Sequence, residues 1–442
     1  MKIRVLVSVL WLSAFGIFHS AVAEKEEGAD ITACAVLADL AVEEGKLPPR
    51  TRAVVTAMTD AGFALHRSLA EPNKNITTSP FSLFSALGLL ENGAENGSPA
   101  NTKEEIDKTM YLGSLSRDDL NAGYHDLSER VLPRNSENTL AWGNAVFTDH
   151  QFPVNPQYRE RIKAAFQAHA ESLPFSDPNS LKVINKYFED QTKGLLPPAF
   201  DSLPISGAVL GNGGYFKGAW SFKFPLEGDV ETEQSGTDEN GTFTLADGKT
   251  KTMPIMYHQN RTFPYLEGKG FRMASVSFKG GDFVMDMIVP EAKVGESPGE
   301  ALRRVQSEMT AKNYQQWLGQ MSPKELTVLG LPRFETESNL DLIPGLTPTM
   351  PSAFGQSANF SGLSTTQSKI TKGVHMTKLK FDESGAEGAF FTGFTMESFS
   401  LPMGKPAIVA DRPFIAVIRN PRTNAVIFVT TQYNPTALPR PQ

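Results

Sequence analysis

Between Arg52 and Leu69 the apolar residues Val54, Met58, Phe63, Leu65 and Leu69 recur at helical spacing among polar ones, which predicts an amphipathic helix. Ser79-Pro80 reads as a second helix start. A serine oxygen can accept from the first free backbone N–H groups, and proline needs no donor at the first helical position. Phe81, Leu83, Phe84 and Leu87 then supply its apolar face. Helical spacing also covers 158–169 and 181–192, whereas 140–147 and 208–216 are apolar runs of strand length. Beyond about 220 the pattern turns to short strands, at 263–265, 274–278, 284–289, 326–331, 374–381, 414–418 and 425–430. No repeat, low-complexity segment or shift in composition marks a boundary. A helix-rich first half and a strand-rich second half predict one α+β domain.

Composition bounds the rest. A chain of 442 residues with 40% hydrophobic and 21% charged positions can bury a sizeable core. A net charge of -7 argues against a nucleic-acid-binding or polybasic membrane surface. Met1-Lys2-Ile3-Arg4, the apolar span 5–18 and Ala21-Val22-Ala23 form the three parts of a secretory signal, so 1–23 reads as a signal peptide and 24–50 as an N-terminal extension. The expected location is secreted and extracellular, or periplasmic in a bacterial host. No later stretch is long and apolar enough to span a bilayer, so no membrane partner is expected. Cys34 is the only cysteine, so stability must come from packing and not from an internal disulfide. Five glycosylation sequons begin at Asn75, Asn96, Asn240, Asn260 and Asn359.

Candidate catalytic motifs fail on their own chemistry. Gly295-Glu296-Ser297-Pro298-Gly299 matches a nucleophile elbow, but Pro298 lacks the N–H that the oxyanion hole needs. Ser297 capping a helix with Pro298 in its first position explains the motif better. Asp247-Gly248-Lys249-Thr250 ends like a phosphate loop, yet Phe243 stands where the first glycine is required. The seven histidines never fall at H-x-x-x-H spacing, so no metal site and no cofactor are expected, and the chain does not read as an enzyme.

Several stretches, taken in order, resemble the serpin family. Asn75-Ile76-Thr77-Thr78-Ser79-Pro80-Phe81-Ser82 is similar to the start of its helix B. Asn212-Gly213-Gly214-Tyr215-Phe216-Lys217-Gly218-Ala219-Trp220 is similar to its N-A-x-Y-F-K-G-x-W strand, with glycines unusually small for it. Ala358-Asn359-Phe360-Ser361-Gly362, Val374-His375, Asp411-Arg412-Pro413-Phe414-Ile415 and the close at Asn434-Pro435 follow at the family's spacing, although Thr430-Thr431 replace its Gly-Lys or Gly-Arg pair. The resemblance implies one domain over 51–436 and a short tail over 437–442. Its fold is a single-domain serpin α+β fold with three β-sheets, about nine helices and an exposed reactive-centre loop. It implies that Asn75, Ser79, Ser82, Asn212 and His375 form a polar cluster under the main sheet, holding it closed by bonds that can be remade. Trp220 would pack where the loop enters.

The resemblance also makes 383 onward the reactive loop. Glu383, Ser384, Gly385, Ala386, Glu387, Gly388 and Ala389 would be its hinge, which enters the main sheet as a new strand after cleavage. A strand alternates between two faces. Ala386, Gly388, Phe390, Thr392, Phe394 and Met396 carry no charge and suit the inner face, while Glu387 and Glu397 fall on the other. No proline lies between Glu383 and Leu401 to break a ladder. The family's count from Glu383 places the scissile bond between Phe399 and Ser400, which suits a chymotrypsin-like serine protease. Counting back from Pro413 gives Met403 or Lys405. The implied activity is suicide inhibition, with the acylated protease carried about 50 Å by insertion. Phe390 and Phe391 stand where inhibitory members carry small residues. They support one alternative, a non-inhibitory carrier or chaperone-like serpin; a second is an inhibitor of papain-like cysteine proteases, which also accept apolar side chains near the cleaved bond. Residues 116–132 mix Asp, Glu and Arg, so no heparin cofactor is expected. The protein is expected to be a monomer.

Overall fold

The computed structural model describes residues 46–225, 235–386 and 405–439. The signal peptide, Cys34, Glu387, Gly388, Ala389, Phe399, Ser400 and Met403 lie outside the described residues. Two β-layers and a set of helices share one core. The first layer has nine strands, in the order Ile76–Thr78, Val426–Gln432, Phe414–Arg419, Val284–Pro290, Phe271–Ser277, Ile255–Gly268, Ser322–Pro332 and Ile408–Val409, with Ser235–Asp238 also paired to Ile255–Gly268. Val284–Pro290 and Phe414–Arg419 are buried along their whole length, which is why both read as mainly apolar runs, and the two charges they carry, Asp286 and Arg419, pair with each other at 2.7 Å.

The helix Pro80–Gly93 lies against both β-layers and is apolar nearly all round. Ser79 caps it as the sequence predicts, accepting from the Ser82 N–H at 3.2 Å. Ser297 caps Pro298–Glu308 in the same way, within a capping box completed by Glu300. Its hydroxyl donates to the Glu300 carboxylate at 2.7 Å, so it is a cap and not a nucleophile.

Nine α-helices occur among the described residues, agreeing with the expected number. The helix expected over 158–169 runs instead from Pro156 to Phe166, stops at left-handed Gln167 (φ 52°), and gives way to the strand His169–Leu173. The first helix begins earlier than expected, at Pro49. The tail boundary at 436 falls inside the strand Thr436–Ala437, and the Leu438 N–H donates to the Arg333 carbonyl at 3.2 Å. Asn359 is buried and its amide faces Ser98 and Ala100, so that sequon is closed to a glycan in the folded chain.

The second β-layer comes in two parts. One has the order His169–Leu173, Asn138–Asp149, Ala208–Ala219 and Gly385–Ala386. The other has the order Val374–Phe381, Phe334–Asp341 and Thr436–Ala437. Among the described residues no ladder joins Ala208–Ala219 to Val374–Phe381. With the two-stranded ribbon Thr242–Thr244 and Thr250–Thr252, four sheets are distinct where three are expected, because the main sheet is split.

Candidate functional site

The split forms a cleft of about 810 Å³ between Ala208–Ala219 and Val374–Phe381, floored by Pro80–Gly93. Its walls carry different polar anchors. On one side the His375 Nε2 accepts from the Ser79 N–H at 3.0 Å, the Ser79 hydroxyl donates to the Ile427 carbonyl at 2.7 Å, and the Thr377 hydroxyl donates to the Thr77 carbonyl at 2.8 Å. On the other side the Asn212 side chain donates to the Asn144 side-chain oxygen Oδ1 at 2.8 Å, which also accepts from the Ser85 hydroxyl at 2.7 Å. The expected cluster is therefore divided. Ser79 and His375 meet, Ser82 reaches them through its backbone, and Asn212 faces them across the cleft. Asn75 lies apart, accepting from the Tyr433 N–H at 2.8 Å.

Burial pulls His375 down from an ordinary 6.5 to about 4 and keeps it neutral, as its acceptor role at Nε2 requires. Two other buried histidines behave alike. His66 is lowered to about 3 by burial and then by Arg67 and His375, and His258 to about 3 by burial and then by Arg261. Below pH 6.5 the unfolded chain takes up protons at these sites and the folded chain does not. Stability is thus complete above 6.5 and lost as pH falls toward 4. At pH 5 each histidine should cost about 2 kcal/mol. Urea unfolding at pH 7.5 and pH 5 measures this, and equal stability at both would show that the three are not held neutral.

The hinge lies at the top of the cleft. Asp382 and Gly385 bridge across a two-residue turn, Glu383-Ser384. Trp220 holds the turn twice, its indole N–H donating to the Asp382 carbonyl at 2.8 Å and its backbone N–H to the Ser384 carbonyl at 3.0 Å. The indole stacks on Phe278, with ring centres 4.5 Å apart and planes at 12°. The Phe224 N–H donates to the Glu383 carbonyl at 3.1 Å. The Glu383 carboxylate, 1% exposed, meets Arg333 at 2.8 Å and the Thr237 hydroxyl at 2.9 Å. Arg333, itself 2% exposed, also grips Glu239 at 2.7 Å. Sequence reasoning missed Arg333, Glu239, Phe278 and Thr377. Their only signal is that Arg333 is a lone cation in an otherwise apolar run.

Beyond the turn the chain pairs antiparallel with the cleft wall, Gly385 opposite Ala219 and Ala386 opposite Gly218. A Cβ on Gly385 would run into the Gly218 carbonyl, so only glycine fits there. Ala386 is 2% exposed and faces inward.

The family model described as "Serpin (serine protease inhibitor)" matches residues 56–435. This chain is a serpin. Among curated relatives, the leukocyte elastase inhibitor of Sus scrofa is 27% identical over 388 residues, covering 84% of this serpin and 97% of that protein. The leukocyte elastase inhibitor of Bos taurus is 27% identical over 368 residues, covering 81% and 92%. Both are protease inhibitors and not enzymes. The structure of thyroxine-binding globulin with thyroxine aligns with TM-score 0.73 at 23% identity, covering 86% of this serpin and 99% of that chain, a likeness of fold alone. Among the described residues no helix is long and apolar enough to cross a membrane, and no group of His, Cys, Asp or Glu could hold a metal ion.

Proposed function

We propose that this serpin is an exported, monomeric suicide inhibitor of a chymotrypsin-like serine protease, which it traps by inserting its cleaved loop into the open cleft. The observation that carries this reading is the hinge: Gly385 and Ala386 already pair with Ala208–Ala219, and below them that strand faces the cleft with no ladder to Val374–Phe381. Export rests on the signal-like sequence 1–23, and the target class on Phe399, whose side chain suits an apolar primary pocket.

Lys405 is a poor candidate for the cleaved bond. Its carbonyl accepts from the Thr327 hydroxyl at 3.0 Å, and its ammonium meets Glu325 at 2.7 Å, so the chain is already fastened to the sheet there. Phe399-Ser400 is the proposed bond, with Met403 as the alternative.

After incubation with chymotrypsin and boiling in SDS, a band at the summed mass is expected, and the released C-terminal fragment should begin at Ser400. Complete cleavage with no such band would reject the trap for this target. A trap formed with a papain-like protease but not with chymotrypsin would move the target class instead.

A further inference from the structure

The family match ends at 435, but the ordered chain continues past it. Thr436 lies opposite Glu335 and Ala437 opposite Phe334 in a short antiparallel ladder. Thr436, Ala437 and Pro439 are exposed, so main-chain bonds and not packing hold this segment. Its entry is fixed by Asn75, the residue that stands apart from the polar cluster. The Asn75 side-chain oxygen accepts from the Asn434 N–H at 2.9 Å, and its amide nitrogen donates to the Asn434 carbonyl at 2.7 Å. The Lys251 ammonium donates to the Asn434 side-chain oxygen at 2.6 Å and to the Pro435 carbonyl.

The ladder delivers Leu438 to Arg333, the cation that clamps the hinge. The two residues bond reciprocally: the Leu438 N–H donates to the Arg333 carbonyl at 3.2 Å, and the Arg333 Nε donates back to the Leu438 carbonyl at 3.3 Å. The other guanidinium nitrogens face the carboxylates. Nη1 reaches Glu383 at 2.8 Å and Glu239 at 2.9 Å, and Nη2 reaches Glu239 at 2.7 Å. A guanidinium is a rigid plane, so a bond that fixes Nε also fixes the direction in which both Nη groups point. The main chain of Leu438 therefore orients the fork that holds Glu383.

We propose that Thr436–Leu438 is a strap that sets the plane of the Arg333 guanidinium and so keeps the hinge turn at Glu383-Ser384 closed in the uncleaved chain. Leu438 is a positioning residue, acting through its peptide groups and not its side chain. A segment that only covered the edge of Phe334–Asp341 would need the ladder but not the bond to Nε. The strap concerns the uncleaved protein and does not depend on the inhibitory reading.

Hydrogen exchange at the turn tests it. The Trp220 N–H donates to the Ser384 carbonyl and the Phe224 N–H to the Glu383 carbonyl, so these two amides report its opening. Ending the chain at Pro435 should speed their exchange about 10-fold, as expected for losing a bond from a charged donor. In Arg333→Lys, which has no Nε donor, the same truncation should add less than about 2-fold, because the two changes remove one interaction. Leu438→Ala keeps both main-chain groups and should leave exchange unchanged. Leu438→Pro removes the N–H and should speed it, and this variant carries the same cycle if the truncated chain does not fold. Unchanged exchange after truncation, an equal rise in both backgrounds, or a rise for Leu438→Ala would overturn the strap. None of these outcomes requires a trapped protease, so the inhibitory reading can fail while the strap stands.

Discussion

Replacing Ala386 with arginine converts the inhibitor into a substrate, and the stoichiometry of inhibition rises more than about 10-fold. On the proposed insertion, Ala386 occupies the first inner row of the new strand. Its partner is Gly218, where even a Cβ would lie 2.7 Å from the Phe278 ring and 2.9 Å from the Phe216 ring. Phe381 on the adjacent strand is fully buried. A guanidinium in this aromatic corner has no acceptor to replace its water, and an uncompensated buried charge costs several kcal/mol. Every 1.4 kcal/mol on the insertion barrier shifts the race between trapping and deacylation about 10-fold. Titrating residual chymotrypsin activity against inhibitor gives the ratio directly. An unchanged ratio for Ala386→Arg would mean that trapping does not use this strand.

Arg333→Ala produces the largest expected loss of stability, about 3–5 kcal/mol. The arginine bridges two carboxylates, Glu383 at 2.8 Å and Glu239 at 2.7 Å, and Glu383 is itself almost wholly buried. Removing the cation strands a carboxylate whose second oxygen, Oε2, has no hydrogen-bond partner. The damage also reaches the hinge, because Glu383 anchors the turn between the strand Val374–Phe381 and the loop. Arg333→Lys, which keeps the charge but loses the fork that reaches two acceptors, should fall between. Urea unfolding reads both, and an Arg333→Ala variant within about 1 kcal/mol of the wild type would show that the pair is not the anchor.

Local sequence signals led to true elements where one residue type does one job. Ser79-Pro80 and Ser297-Pro298 both cap helices, and 374–381 is a strand to the residue. The end of the helix at Phe166 escaped because the left-handed stop is Gln167, which carries no glycine signal. Pairing was harder to read. Arg333 and Glu383 are 50 positions apart, and no spacing rule connects them. The divided polar cluster has the same cause: the family resemblance groups Asn212 with His375, but only the split of the sheet puts a cleft between them.

The strands that complete the core are also the last to be synthesised. Thr77 pairs with Thr430, and Val426–Gln432 lies beside Ile76–Thr78 near the start of the folded region. Translation at about 5–20 residues per second leaves several seconds between the emergence of the loop and that of these strands. Throughout that interval the chain already holds both strands that wall the cleft and the hinge turn, but not the strands that finish the core. Arg333, Glu239 and Trp220 all precede the hinge in the chain, so the clamp on Glu383 and Ser384 can close as soon as the turn is made. During synthesis the hinge turn can therefore be fixed before the final strands of the core exist.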